Sequence, residues 1–554
     1  MRRKLRVRLA ACQIRASAAP AALTEARAAA TFFTRMPAPA KRLLWVDDEI
    51  DLLRPHLLFM QGRGYHVDAV SNGDDALELL RLSPYDLVLL DEQMPGRSGM
   101  EVFDELRRMD ARVPVVMVTK SEEDRTMTEA IGRRVADYLV KPTSPRQVLS
   151  VVTRLLEGRQ LAQQQVARDF TTRFRALDAG RGEARGWREW ASDYSELVDW
   201  ELRLRAAGET GLLAALETLL DDFRREFCEF VCDEYGGWVN GAAGRPPLSV
   251  DVVPQFLSPL LGRGQTVLFM VIDCLRLDQW RTLIPLLEPV AQVEEALYYS
   301  ILPTATPFSR NAIFSGMYPD EISARVPGWW GWEGEGSLNS FEGELFREQV
   351  RRIEGERLPV HYEKVFESGD GEAMLRRLPG YLSQPGVTAI VLNFVDQLTH
   401  GRSENAVLME VARDKEALRA LTRQWFERSE ALAAIREALH RRIPVLLTTD
   451  HGSIHCHRPA TVFAKRDTTQ NLRYKFGDDL RAEDPSLAFS TNDPRKLRFP
   501  PGRQATNYLI ALEDVFFVYP TKLRQYQARY RGSFLHGGVS PEEMILPVAL
   551  LTPR

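Results

Sequence analysis

Five times along this chain a short run of aliphatic and β-branched residues ends in aspartate. The runs are LLWVDD at 43–48, LVLLD at 87–91, VLFMVID at 267–273, TAIVLNFVD at 388–396 and PVLLTTD at 444–450. Their length suits strands rather than helices. Their near-continuous apolarity suits strands buried on both faces of a parallel sheet. Helical patterns lie between them, which predicts an α/β fold. In an open parallel sheet the strand C-termini converge on one crevice, so each aspartate is delivered to a shared site.

At 554 residues the chain is long enough for three or four domains. A net charge of −4 gives no global basic field for nucleic acid. Five cysteines, an odd and sparse number, argue against a disulfide framework and for a reducing compartment such as the cytoplasm. No run of 18 apolar residues predicts a transmembrane helix. Residues 1–40 are set apart. Their first 35 carry eight Lys/Arg and one Glu, a composition like a transit peptide or an upstream extension with Met36 as the start. Strand and helix alternate over 41–157. Residues 158–250 are rich in Ala, Leu, Arg, Glu and Gln at helical spacing and predict a bundle, closed by the prolines of RPPLSVDVVP at 245–254. Alternation returns over 251–554, where 320–350 and 465–505 read as insertions or lids.

In the first α/β region, Asp47, Asp48 and Asp91 end strands, as do Thr119 and Lys141. Three converging carboxylates repel one another unless a cation joins them, and magnesium prefers oxygen ligands. A carboxylate that accepts a phosphoryl group needs that metal and a lysine to neutralise the incoming oxygens. Solvated loop acids would not be accompanied by all five groups in order. The segments VDDE at 46–49, LLDEQMPGRSGM at 89–100, VMVTK at 116–120 and DYLVKP at 137–142 resemble the receiver domain of bacterial response regulators, with its flavodoxin-like fold. The resemblance implies that Asp91 is phosphorylated and that Asp47, Asp48 and Asp91 hold Mg2+. It also implies that Thr119 and Lys141 contact the phosphoryl group and that Tyr138 is the switch aromatic.

After residue 255 the acids come with histidine. Asp396 precedes His400 by four, Asp450 precedes His451, and His536 stands before two glycines in SFLHGGVSPEEM; the chain has nine histidines in all. Carboxylate and imidazole suit zinc, manganese or iron. Asp396 and His400 share one helical face, whereas Asp450 and His451 reach one ion only at an irregular strand end. The turn YYSILPTATPFSRNAIFSGMYPDE at 298–321 offers two threonines before a helix N-terminus, a natural phosphate cradle. This set resembles the alkaline phosphatase superfamily, and the spacing of Pro303, Thr306, Gly316, Tyr318 and Pro319 is similar to its nucleotide pyrophosphatase/phosphodiesterase members.

That resemblance implies Thr306 as nucleophile, with Thr304 the weaker choice. It implies one Zn2+ on Asp273, Thr306, Asp450 and His451, and a second on Asp396, His400 and His536. Asn311 is a candidate donor to a substrate oxygen. Pro307 departs from the pattern, because it has no N–H to offer a phosphate.

The order of receiver, helices and phosphatase-like domain resembles PglZ-domain response regulators of the PorX type. Membership implies a sensor histidine kinase, a homodimer on phosphorylation, and a secretion-motor component or sigma factor as partner. It also implies control of type IX secretion and an oligonucleotide or cyclic-nucleotide diester as substrate. The alternative is a catalytically silent PglZ domain whose output is phospho-dependent protein binding. His455 and His457 are read as loop residues rather than ligands, and Cys228 and Cys232 as core. Cys274 and Cys456 are read as bystanders. Trp329, Trp330 and Trp332 are read as a flap or a base-stacking surface. Arg402 is a candidate phosphate contact or a solvated side chain.

Overall fold

The computed structural model describes residues 41–109, 113–120, 135–179, 185–262, 265–330, 339–355, 358–366, 368–404, 406–464, 471–500, 507–520 and 523–554. The 1–40 segment, Trp332 and the Arg402 side chain lie outside the described residues, so the expectations for them are not met with structure. The chain divides into two compact units at Gln165–Val166.

In the first unit five strands form a parallel sheet: β1 (Arg42–Val46), β2 (His66–Val70), β3 (Leu87–Asp91), β4 (Val115–Thr119) and β5 (Asp137–Val140), in the order β2-β1-β3-β4-β5. This is the flavodoxin-like order. β3 and β4 are buried throughout, so helices α1 (Arg54–Gln61), α2 (Gly73–Leu82) and α3 (Gly99–Arg108) and the start of α4 (Pro145–Ala179) serve two cores on opposite faces. Ser98 and Glu101 form a reciprocal capping box that starts α3 just beyond β3. Helix α4 runs unbroken across the unit boundary.

The second unit is built on a six-stranded sheet. Its strands are β6 (Val267–Ile272), β7 (Ala291–Tyr299), β8 (Val360–Val365), β9 (Val387–Leu392), β10 (Val445–Thr448) and β13 (Ile545–Pro553), in the order β7-β13-β10-β6-β9-β8. Only β13 is antiparallel to its neighbours. Two short strands, β11 (Ile454–Cys456) and β12 (Ser533–Leu535), pair antiparallel beside it. The helices expected as a bundle, α5 (Trp187–Ala207) and α6 (Thr210–Val239), share one hydrophobic core with this sheet. Trp238 meets Tyr299 of β7 at 5.5 Å between ring centroids, and Trp190 meets Phe223 at 4.8 Å.

The segments expected as insertions or lids are structural where they are described. Helix α9 (Glu342–Glu354) packs through Phe346 on Phe314 of α8 (Thr306–Ser315) at 5.4 Å. Residues 474–477, 488–491 and 507–511 form a small antiparallel sheet. Three more helices frame the site: α7 (Leu277–Leu287), α10 (Phe394–Glu404) and α11 (Lys415–Arg428).

Candidate phosphoacceptor and metal sites

At the top of the first sheet Asp47 and Asp91 are fully buried and Asp48 is exposed; their oxygens lie within 4.8 Å of one another. Lys141 Nζ reaches Asp91 at 2.8 Å and Asp47 at 2.9 Å, and the Lys141–Pro142 peptide is cis. Burial pushes the Asp91 carboxyl up even against Lys141. Burial opposes the Lys141 ammonium, yet its bonds to Asp91 and Asp47 raise it on balance. A group of three carboxylates of this kind suits a divalent cation. Thr119 is buried at the end of β4, and the half-buried Tyr138 ring packs against the core that contains Met94 and Met117. Gly99 is required for this geometry, because a Cβ there would stand 2.1 Å from the Asp91 carbonyl oxygen.

At the C-terminal ends of β6 and β10, Asp273, Asp450 and His451 are fully buried, and one ligand atom of each lies within 4.8 Å of the others. His451 Nε2 stands 3.6 Å from Asp273 and 3.8 Å from Asp450. Thr306, the first residue of α8, places Oγ1 3.0 Å from His451 Nε2 and 3.5 Å from Asp273 Oδ1. The His451 Nδ1–H donates to Gly452 O at 3.1 Å, which leaves the Nε2 lone pair facing this group. Burial, with Asp450 alongside, pushes the Asp273 carboxyl far above its ordinary range.

The second group is Asp396 and His400 on α10 with His536 after β12. His400 Nε2 and His536 Nε2 face each other at 2.9 Å, and Asp396 Oδ1 lies 3.3 Å from the first and 3.6 Å from the second. His536 Nδ1–H donates to Thr304 O at 3.3 Å, so Nε2 is again the free lone pair. Burial, beside His451 and His400, holds the His536 imidazole well below its usual value. Against burial, the His400 bond keeps the Asp396 carboxyl below its usual range. The two groups adjoin: the His451 and His536 rings stack at 4.2 Å.

The donors fit a metal. Asp450 Oδ2 is buried and accepts no hydrogen bond among the described residues, a costly state for a carboxylate unless a cation takes the lone pair. Imidazole nitrogens with their other N–H anchored are the usual arrangement of metal-ligating histidine.

The two threonines separate. Thr304 is fully buried, and its hydroxyl donates to Gly538 O at 2.7 Å and accepts from Gly537 N at 3.1 Å, so it ties the Thr306 turn to the His536 loop. Thr306 is the threonine that faces the ligands. Asn311 is also committed: its amide donates to Pro307 O at 2.9 Å and its oxygen accepts from Asn339 at 3.1 Å. These bonds brace the turn. His455 donates to Gly532 O and stacks on Phe534, and neither it nor His457 belongs to a ligand group among the described residues.

Sequence reasoning missed the support behind Asp273. Arg310, buried on α8, donates to Asp273 and to Glu342 of α9. Asn393 Nδ2 donates to Asp273 Oδ2 at 3.1 Å, directing Oδ1 toward Thr306. Glu543 was missed as well. Its buried carboxylate accepts from Gly538 N at 2.8 Å and from Arg473, fixing the His536 loop.

Comparison with known proteins follows the same division. Residues 252–551, more than half of the chain, match the BREX system PglZ alkaline phosphatase-like domain. The chain belongs to the PglZ family. This PglZ protein also matches the response regulator receiver domain at 43–153 and the PorX response regulator linker domain at 160–239. Receiver, PorX linker and PglZ domain in this order make it a two-component response regulator of the PorX type.

The transcriptional regulatory protein ResD of Bacillus subtilis is 36% identical over 115 residues, 21% of this chain and 48% of ResD. BaeR of Escherichia coli is 34% identical over 195 residues, 33% of this chain and 76% of BaeR. This PglZ protein thus spans about half the length of ResD. Among solved structures, the Vibrio cholerae chemotaxis protein CheY4 is 28% identical, covering 21% of this chain and 99% of that one, with a TM-score of 0.20. The response regulator TrrA of Thermotoga maritima, in complex with Mg(2+)-BeF, is 33% identical with the same coverage and a TM-score of 0.20. Among the described residues no helix is long and apolar enough to cross a membrane.

Proposed function

We propose that this response regulator carries a two-zinc, threonine-nucleophile phosphodiesterase that is switched by phosphorylation of Asp91. The observation that carries the reading is the pair of adjoining ligand groups, Asp273–Asp450–His451 and Asp396–His400–His536, with Thr306 Oγ1 at the edge of the first. Asp273, Asp450, His451 and Thr306 would hold one Zn2+, and Asp396, His400 and His536 the other. Bound there, the ions supply Lewis-acid charge at phosphoryl oxygens and lower the pKa of hydroxyl and water.

The residues divide the remaining work. Thr306 Oγ gives up its proton to water and attacks phosphorus, the P–O bond to one alcohol breaks, and the leaving oxygen takes up a proton from water, so that the proton count is unchanged. Water then attacks the phosphothreonine, releasing a phosphomonoester and restoring the hydroxyl; two in-line inversions give retention. Thr304, Asn311 and Asn339 hold the turn so that Thr306 is aimed before substrate arrives. Pro307 offers no N–H, so charge on the phosphoryl group falls to the cation sites and the N-terminus of α8.

By its family the protein acts in the cytoplasm on oligonucleotide or cyclic-nucleotide diesters. A sensor histidine kinase phosphorylates it, it dimerises on phosphorylation, and it regulates type IX secretion through a motor component or sigma factor. In the receiver, Asp47, Asp48 and Asp91 hold Mg2+, Thr119 and Lys141 contact the phosphoryl group, and Tyr138 responds. The test is metal content together with hydrolysis of bis-p-nitrophenyl phosphate and short oligonucleotides, on wild type and Thr306→Ala. Two zinc per chain in both, with turnover lost only in Thr306→Ala, is expected. Metal without turnover in wild type refutes the catalytic reading, and absence of metal refutes the ligand assignment.

A further inference from the structure

Helix α6 belongs to the linker region by sequence, yet one of its faces reaches the catalytic turns. Arg224, Cys228 and Tyr235 recur at four and seven residues, positions that share a helical face. Each is buried and each makes one bond to a segment that carries site residues. Tyr235 Oη accepts from Leu302 N at 2.8 Å, four residues before Thr306. Cys228 Sγ donates to Val539 O at 3.1 Å, three residues after His536. Arg224 Nε donates to Glu542 Oε1 at 2.7 Å. The residue after Glu542 is the carboxylate that accepts from Gly538 N, and Glu543 O in turn accepts from Gly452 N, next to His451.

A second linker helix is attached by the same means. Glu201 of α5 accepts from Arg419 at 2.9 Å, Arg419 donates to Asp278 at 2.9 Å, and Asp278 holds Arg276, three residues after Asp273. Arg276, Glu201, Asp278 and Glu542 border a void of about 10 Å³, and Arg276 Nη1 and Glu542 Oε2 beside it have no hydrogen-bond partner among the described residues. Room for about one water in a charged network lets it re-pair without a gap opening.

The route upstream is also continuous within the second unit. Phe170 of α4 packs on Trp200 of α5 at 5.4 Å, and Trp190 of α5 packs on Phe223 and Phe227 of α6. Helix α4 is the same helix that leaves the first unit.

We infer that α6 is the transmission element of this protein: its Arg224–Cys228–Tyr235 face sets the position of the Thr306 turn relative to the His536 loop. The inference rests on the catalytic reading above for its meaning, but not for its test. A shift of α6 along its axis pulls at once on two backbone points, Leu302 N and Val539 O, and on the Glu542 carboxylate. It alters the separation of nucleophile and ligands without touching either. Arg224, Cys228 and Tyr235 are therefore positioning residues.

The experiment is hydrogen exchange on the full chain with Mg2+, with and without beryllofluoride as phosphoryl mimic. Peptides covering 210–239, 300–306 and 536–543 are followed in wild type and in Cys228→Ala/Tyr235→Phe. In wild type beryllofluoride changes exchange in all three, by about fivefold per hydrogen bond strengthened or released. In the variant the change persists in 210–239 and disappears from the two turns. Tyr235→Phe alone removes a single oxygen. It loses the response in 300–306 only, which keeps the test decisive if the double variant folds poorly.

Turns that respond as fully in the variants as in wild type overturn the inference, as do turns that do not respond in wild type. Parallel bis-p-nitrophenyl phosphate assays separate the two readings. Loss of all turnover in wild type with the exchange pattern intact defeats the catalytic reading and leaves the transmission element standing.

Discussion

Replacing Arg310 with methionine tests how charge is balanced behind the first ligand group. The guanidinium is 1% exposed and donates to Asp273 and to Glu342. Glu342 keeps Lys364 at 3.1 Å and the Tyr362 hydroxyl at 2.5 Å, so the loss falls mainly on Asp273, which retains only neutral donors, Asn393 at 3.1 Å and Thr306 at 3.5 Å. Removing one partner of a buried ion pair costs about 3–5 kcal/mol, and the compensation at Glu342 points to the lower end. The second unit has roughly 390 residues; at about 2.1 cal/mol/K per residue, a 3 kcal/mol loss lowers its Tm by about 4 °C. That figure applies in the presence of a chelator. With zinc in excess, a divalent charge beside Asp273 replaces the missing cation, and the loss shrinks to less than half. Differential scanning calorimetry of wild type and Arg310→Met, each with chelator and with zinc, measures all four values. A variant within about 1 °C of wild type in chelator refutes the assigned role of Arg310. Equal losses in both conditions refute the assignment of Asp273 as a ligand.

In the receiver, Gly99→Ala drives a Cβ to 2.1 Å from the Asp91 carbonyl oxygen, so the unit loses about 1–3 kcal/mol and phosphate incorporation from acetyl phosphate falls; chemical denaturation and radiolabelling check both. Thr304→Val removes the bonds to Gly537 and Gly538 and leaves Thr306 in place. It loosens the His536 loop, and competition with a chromogenic chelator should show weaker metal retention by about tenfold. Against burial, which acts upward, Arg276 and Arg419 hold Asp278 low, while Lys415 and Arg419 hold Glu201 low. Their stabilisation is complete above the unfolded carboxylate values of about 4 and is lost as pH falls through the folded ones. Arg419→Met brings the folded values nearer the unfolded ones, so acid unfolding followed by circular dichroism begins at a higher pH.

What the sequence made readable, and what it hid, divides by distance from the strands. An aspartate that ends an apolar run has its position fixed by the sheet, so Asp91, Asp273 and Asp450 could be placed from the run alone. His536 was found because histidine beside paired glycines is rare, and the tight turn explains it: Gly537 has φ of 113°. Arg310 and Glu342 left no such mark. They meet across two helices 32 residues apart, and arginine or glutamate on a helix usually faces water. The integration of α5 and α6 into the sheet's core was hidden for a related reason. Helical periodicity shows which face is apolar, but not what that face packs against. Spacing favoured Thr306 over Thr304, and their hydrogen bonds show what each touches: Thr304 the Gly537–Gly538 backbone, Thr306 the Asp273–His451 group.

The placement of β13 has a consequence for how the protein is made. This strand, Ile545–Pro553, lies between β7 and β10 in the middle of the second sheet, and it follows every other strand in the chain. Until it leaves the ribosome, β7 has no neighbour to pair with on that side. The receiver sheet ends at residue 140, and Lys141 and the start of α4 that complete its site and core follow directly. Synthesis therefore delivers a finished phosphorylation switch well before its output domain can assemble. A nascent or truncated chain therefore holds its receiver before its PglZ domain is complete.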